Sequence, residues 1–364
     1  MTIVQSKRLD PAVFRLPIER LREGYYSDQY FNLTRDLLVA EDRHPQVLMQ
    51  VFQKQEAILG GVDEAIAVLR QAAGRRRPDG SWEDGWDALR VHALHEGDAI
   101  EPYETVLTIE GDYSMFAHLE TVYLGCMARR TLVMRNVAAV VRAAAGKPIL
   151  FFPARHDHWL VQTGDGWAAH VAGAIGVSTD AQASWWGGRG LGTVPHGLIA
   201  AYGGDTIAAA RAFADRYYGE MNITVLVDFD NDSVGTALAV AEALGDRLWG
   251  VRLDTSERLV DRALSDEPNA EAHRGVTPLL ARRVRTALDD AGYPGVRIVV
   301  SGGFDAEKIG HFERAGAPVD AFGVGSSLLR GHNDFTADVV RVDGRPVAKA
   351  GRAERPNPRL QAVD

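Results

Sequence analysis

Two glycine-rich turns stand late in the chain, each after a short apolar run. Ile298-Val299-Val300 runs into Ser301-Gly302-Gly303, and Val319-Asp320-Ala321-Phe322-Gly323-Val324 runs into Gly325-Ser326. Glycine lets backbone N–H groups come close to an anion, and a helix that follows adds partial positive charge at its N-terminus. The pair therefore reads as a phosphate cup. Other apolar runs also end in residues that can do chemistry: 148–152, ending at Phe152, leads to Arg155, 223–227 leads to Asp228, and 248–253 carries Arg252 and leads to Asp254. Between the first two, Gly192-Thr193-Val194-Pro195-His196 puts a histidine just after a tight turn. Arginines can clamp a carboxylate or a diphosphate through paired hydrogen bonds. Aspartates can hold sugar hydroxyls or a Mg²⁺, which prefers oxygen ligands. A neutral imidazole nitrogen is nucleophilic near neutral pH and can accept a phosphoryl group.

These residues need a scaffold that brings successive strand ends together. From residue 148 onward, short apolar runs (148–152, 223–227, 248–253, 296–300 and 320–322) alternate with helical segments, which predicts βα units and a parallel sheet. A barrel of such units gathers the carboxyl ends of its strands around one mouth, with phosphate sites after the last strands. One helix is well marked: Thr277 can cap it, Pro278 suits its first turn, and Gly292 can end it. The segment up to about residue 129 is less regular. It predicts a helix over 45–73, a solvated break over 74–81 containing Arg75-Arg76-Arg77, and strands over 88–94 and 105–109. On the first of these strands His92 and His95 would point to opposite faces. A helix over 131–145 leads into the barrel pattern.

Composition narrows the classes. The 364 residues are 46% apolar with a formal charge of −9, which suits a folded globular chain and argues against a nucleic-acid surface. A single cysteine, Cys126, allows no intrachain disulfide and fits a reducing cytoplasm. The first thirty residues lack a leader pattern, and no stretch approaches a membrane span. A soluble, cytoplasmic protein that binds neither membrane nor nucleic acid is expected.

In its ordered motifs the chain resembles the nicotinate phosphoribosyltransferases, within the type II phosphoribosyltransferases. The motifs are Tyr25-Tyr26-Ser27-Asp28-Gln29-Tyr30, Glu96-Gly97-Asp98, Phe152-Pro153-Ala154-Arg155, Gly192-Thr193-Val194-Pro195-His196, Leu226-Val227-Asp228, Val251-Arg252-Leu253-Asp254-Thr255 and the two glycine turns. The resemblance implies an α/β fold: an irregular, seven-stranded (β/α) barrel over 130–330 with an N-terminal open-faced α/β domain over 1–129, completed by 331–364. It implies transfer of the phosphoribosyl group of phosphoribosyl pyrophosphate to nicotinate, coupled to ATP hydrolysis, with Mg²⁺. His196, Asp228 and Asp254 would act in catalysis, His196 as the phosphorylated residue. Tyr26, Phe152, Arg155, Thr193 and Arg252 would bind substrate, and Ser301, Gly302, Gly303, Gly325 and Ser326 would bind phosphate. It also implies a homodimer or higher homo-oligomer in which Tyr26 serves the neighbouring subunit's site.

Taken singly, each residue has an ordinary reading too. Arg252 and Asp254 could form a surface ion pair, Asp228 begins an acidic run with Asp230 and Asp232, and Tyr25 and Tyr26 could simply pack. His156-Asp157-His158 resembles a metal pair but lacks further ligands at a suitable spacing. The run Gly187 to Gly192 lacks a dinucleotide-binding spacing, and no phosphate-binding loop ending in Gly-Lys-Ser/Thr is present. Several positions depart from the family pattern: His156 stands where many relatives have a second arginine, Phe229-Asp230 replaces Thr-Tyr, and Asp254-Thr255-Ser256 replaces Asp-Ser-Gly. A quinolinate phosphoribosyltransferase, or a non-catalytic protein that binds phosphorylated sugars, remains the alternative.

Overall fold

The structure, a computed structural model, describes residues 7–364; the first six positions of the expected N-terminal domain lie outside the described residues. The chain divides into two compact units. One comprises the chain up to Arg135 together with Gly331–Asp364, the other Asn136–Arg330.

The first unit is built on an antiparallel sheet whose strands run in the order Arg345–Pro346, Phe335–Val342, Gln46–Gln53, Leu107–Asp112, Arg90–Ala93, Gln361–Ala362. The helix expected over 45–73 is instead a strand, Gln46–Gln53, a break at Gly60-Gly61, and a shorter helix, Val62–Ala72. The strand is central and buried along seven of its eight residues, so its apolar run carries no period-two signal. The helix turns one face to the core through Val62, Ala65, Ile66, Leu69 and Ala72. Its N-terminus has no side-chain cap of its own. Glu96 supplies one, accepting the N–H groups of Gly61 and Asp63 at 3.1 Å each. Burial and the nearby Asp63 push that carboxyl up to about 8. The Glu96-Gly97-Asp98 motif thus has a structural role.

The arginine triplet is not a solvated loop throughout: Gly74–Arg76 pairs as a strand with Trp82–Asp84, and Arg75 Nε donates to Glu83 at 2.9 Å. His92 lies on the strand Arg90–Ala93, whereas His95 falls beyond its end. The helix expected over 131–145 starts earlier, as Glu120–Ala143.

The second unit holds a curled parallel sheet in the order Ile223–Leu226, Leu248–Leu253, Arg297–Val300, Ala321–Val324, Ile149–Phe151, Gly176–Val177. These are the strands read from the sequence, to within two residues at each end, with Gly176–Val177 added. Their residues are nearly all buried, as expected for strands covered on both faces. Six strands pair in the sheet, and the seventh place is taken by a seam. Leu191 N–H donates to Val177 O at 2.7 Å on one edge, and Val194 N–H donates to Thr224 O at 2.9 Å on the other. Gly192 and Pro195 keep this segment from running as a longer strand, since proline cannot donate to a ladder. The well-marked helix is Pro278–Asp290, with Thr277 Oγ1 accepting the Leu280 N–H at 3.2 Å and Gly292 at φ +86° beyond its end.

The barrel core places a cluster of three phenylalanines directly under the two glycine turns. Phe304, Phe312 and Phe322 have ring centroids 4.9 to 6.3 Å apart in tilted and edge-on contacts, and all three are buried. Phe304 follows the first turn and Phe322 precedes the second. Phe322→Ala is expected to cost about 3–5 kcal/mol. A guanidinium unfolding midpoint unchanged from wild type would refute that cost.

Candidate active site

At the carboxyl ends of the barrel strands lies a cavity of about 500 Å³. Phe152, Arg155, Thr193, His196, Arg252 and Asp254 line one part of it, and Ser301, Gly302, Gly303, Gly325 and Ser326 line another. All belong to the second unit. Asp228 stands behind His196, and Tyr26 lies in the first unit, about half exposed, its ring edge-on to Tyr25 at 5.0 Å.

The seam positions the histidine. Val194 is pinned to the strand Ile223–Leu226, Pro195 ends the pairing, and His196 opens the short helix His196–Ala201. There its Nε2 meets both oxygens of Asp228, at 3.0 and 3.1 Å. The Asp228 side chain is only 6% exposed, whereas that of His196 is 43% exposed. Nε2–H therefore donates to the carboxylate, which leaves the Nδ1 lone pair free to act as a nucleophile. The hydrogen bond to Asp228 raises the histidine above its ordinary value, outweighing burial, with further help from the charges of Asp228 and Asp254.

Arg252 lies on the strand Leu248–Leu253 with its guanidinium over the Phe152 ring, 5.7 Å from the centroid. Its Nε is buried and has no hydrogen-bond partner. Burial pulls Arg252 below the ordinary arginine value, against the attraction of Asp254 and Asp228. A buried, unpartnered cation donor beside an aromatic face suits the carboxylate of a flat ring. Gly323 makes room for this arrangement, since a Cβ there would sit 2.7 Å from the Phe152 ring. Arg155, on the turn Ala154–His156, is exposed at the rim. Beside it, burial and the Arg155 charge hold His156 below the usual histidine range.

The first glycine turn is anchored at its start through Ser301. Ser301 N–H donates to Leu253 O at 2.9 Å, and its Oγ donates to Asp254 Oδ1 at 2.9 Å. Gly302 and Gly303 take φ of +91° and +66°, where a side chain would be strained. Ser327 Oγ donates to Phe304 O at 2.7 Å, tying the second turn to the first. Sequence reasoning read Gly323 as part of the second glycine run without giving it a role, and passed over Ser327, Arg330 and, beside the cup, Lys308. For Gly323 and Ser327 the signal was their place within or beside the second turn.

Among the described residues no group of three or more His, Cys, Asp or Glu side chains could hold a metal ion by itself. A Mg²⁺ carried by a diphosphate needs only one or two protein carboxylates, and Asp254, which lines the cavity, is of the kind that could supply one. A second cavity, of about 430 Å³, lies in the first unit among Arg22, Arg35, Arg75, Arg76 and Trp82. Three of those arginines are already paired, with Glu19, Asp36 and Glu83. No helix among the described residues is long and apolar enough to cross a membrane.

Comparison with known proteins places these features. Residues 28–131 match the family model of the quinolinate phosphoribosyl transferase N-terminal domain. The chain is 34% identical over 284 residues to the nicotinate phosphoribosyltransferase pncB1 of Mycobacterium tuberculosis, covering 75% of this chain and 58% of that protein. It thus spans little more than half the length of the curated relatives it matches. Among solved structures, the nicotinate-nucleotide pyrophosphorylase of Pyrococcus furiosus superposes with a TM-score of 0.79 at 32% identity, covering 96% of this chain and 85% of that one. Human nicotinic acid phosphoribosyltransferase shares the fold, with a TM-score of 0.65 at 18% identity over 90% of this chain and 77% of that one.

Proposed function

Since this chain belongs to the nicotinate phosphoribosyltransferase family of the type II phosphoribosyltransferases, we propose that it joins nicotinate to the phosphoribosyl group of phosphoribosyl pyrophosphate. The products are nicotinate mononucleotide and diphosphate, a step of NAD biosynthesis, and ATP hydrolysis is coupled to the transfer through His196. The observation that carries this reading is the bond from His196 Nε2 to the buried Asp228 at the mouth of the barrel.

The pyridine nitrogen attacks the anomeric carbon as the diphosphate leaves, so positive charge builds on the ribosyl ring and negative charge on the leaving group. Arg252 and the Phe152 face hold the nicotinate carboxylate and ring, Asp254 in the cavity stabilises the ribosyl cation, and Asp228 acts from behind His196. Mg²⁺ bound with the diphosphate would neutralise its developing charge. In the coupled half-reaction Nδ1 of His196 forms a bond to the γ-phosphorus of ATP as the bond to ADP breaks. Asp228 holds Nε2–H and stabilises the charge on the ring, and water later releases phosphate.

A homodimer is part of the same proposal. Tyr26, Tyr30, Leu33 and Leu37 recur at intervals of four, three and four residues on and beside the helix Gln29–Ala40, and all are largely exposed. A second copy would cover this apolar face and place Tyr26 against the neighbouring subunit's site. Leu33→Glu is expected to shift the sedimenting species to the monomer mass. A wild-type protein that already sediments as a monomer would remove the dimer.

The second reading, a quinolinate phosphoribosyltransferase, draws support from the N-terminal family model, and exposed Arg155 could meet a second carboxylate. The deciding assay incubates the full chain with phosphoribosyl pyrophosphate and Mg²⁺, offering nicotinate, nicotinamide or quinolinate, with and without ATP. Mononucleotide from nicotinate, increased by ATP, is the expected result. Release of CO₂ from quinolinate, with nicotinate inert, would replace the main reading by the second.

A further inference from the structure

Lys308 does not line the cavity, yet it grips the turn that does. It sits in the first turn of the helix Ala306–Arg314, whose N-cap Asp305 accepts the Lys308 backbone N–H at 2.9 Å. From there its Nζ reaches back to donate to the Gly302 carbonyl at 2.9 Å and rests over the Phe304 ring, 4.3 Å from the centroid. A peptide between two glycines is the easiest in a chain to flip, because no β-carbon on either side resists the rotation. In a trans peptide, C=O and the following N–H point in opposite directions. The carbonyl of Gly302, drawn outward to Lys308, therefore turns the N–H of Gly303 inward.

We propose that Lys308 is a positioning residue of the phosphate cup: by holding the Gly302 carbonyl it aims the Gly303 N–H into the cavity, toward the phosphate monoester of a ribosyl ligand. The inference rests on reading this cavity as a phosphoribosyl site. Neither the helix cap nor the aromatic cluster requires a lysine at 308, since the cap uses its backbone and the core side of the helix is supplied by Ile309 and Phe312. Partial burial disfavours its charge, and Asp305, Glu257 and Asp254 oppose that effect. The charge is held in a costly place beside a turn that binds anions.

The test is calorimetric binding of ribose 5-phosphate to the full chain, comparing wild type with K308M and K308R. K308M keeps the length and the apolar contact with Phe304 but has no donor. It is expected to bind about tenfold more weakly, with little change in melting temperature. K308R, which can still donate to the carbonyl, is expected to stay within about threefold. In turnover, K308M should raise KM for phosphoribosyl pyrophosphate while leaving KM for nicotinate unchanged. Equal affinities in wild type and K308M would overturn the proposal, as would no binding by wild type, or a loss in K308R as large as in K308M with a fallen melting temperature. Because binding is read without turnover, a wild type that binds ribose 5-phosphate but makes no mononucleotide would sink the proposed activity and leave the role of Lys308 standing.

Discussion

Replacing Arg252 by alanine is expected to lower kcat/KM for nicotinate on the order of a hundredfold, most of it through KM. The side chain is largely withdrawn from water, its Nε has no partner, and its plane lies over Phe152. A ligand carboxylate entering this pocket gives up its hydration and must recover it from the guanidinium. Truncating one member of such a buried pair costs about 3 kcal/mol, which corresponds to the expected factor. Arg252→Lys should recover only part of the loss, because an ammonium cannot make the paired contacts of a guanidinium. Arg155→Ala should cost far less, since Arg155 is exposed at the rim and solvent screens its charge. Steady-state kinetics with each substrate varied in turn decides the matter. If Arg155→Ala collapses KM for nicotinate and Arg252→Ala does not, the carboxylate clamp moves to the rim.

His196→Ala is expected to abolish the stimulation of product formation by ATP and to leave no acid-labile label after incubation with γ-labelled ATP. Asp228→Asn should retain some label but accumulate it more slowly, about tenfold or more, because an amide no longer stabilises a positive ring. The pH profile separates this role from simple crowding. Nδ1 attacks only when the ring is neutral, and the bond to Asp228 raises the histidine above its ordinary value. The ATP-dependent rate should therefore fall on the acid side through a pH higher than the 6.5 or so typical of a free histidine. In Asp228→Asn that limb should move to lower pH. Label that survives in His196→Ala would rule the histidine out as the phosphoryl acceptor.

The barrel was the legible part of the sequence because its strands are short, apolar throughout and end abruptly in polar residues. A strand covered on both faces has no reason to alternate, so Ile223–Leu226 and Leu248–Leu253 stand out as runs bounded by charge. The same property misled in the first unit. Gln46–Gln53 is also buried along its length, and without the two glycines that follow it, its apolar residues blend into the helix beyond. The candidate site was readable wherever a side chain itself faces the cavity, as with Arg252, Asp254 and His196. The contributions of Lys308 and Ser327 pass through backbone carbonyls, and a sequence does not say which carbonyl a side chain will find. Nor could spacing alone foretell the seam at Leu191 and Val194, which rests on two backbone bonds to different edge strands.

The pairing of Gln46–Gln53 with Phe335–Val342 sets an order on synthesis. Val47 meets Val342 and Gln53 meets Phe335, so a central strand of the first unit has one flank unpaired until residues 335–342 have left the ribosome. At roughly 5–20 residues per second, the interval is about 15–60 s. During that time the whole barrel can emerge and fold, while an apolar strand with open hydrogen-bonding groups stays exposed to other nascent chains. Of the two units, the one begun first is completed second, so a chain stalled before residue 335 would leave the barrel tethered to an adhesive half-sheet.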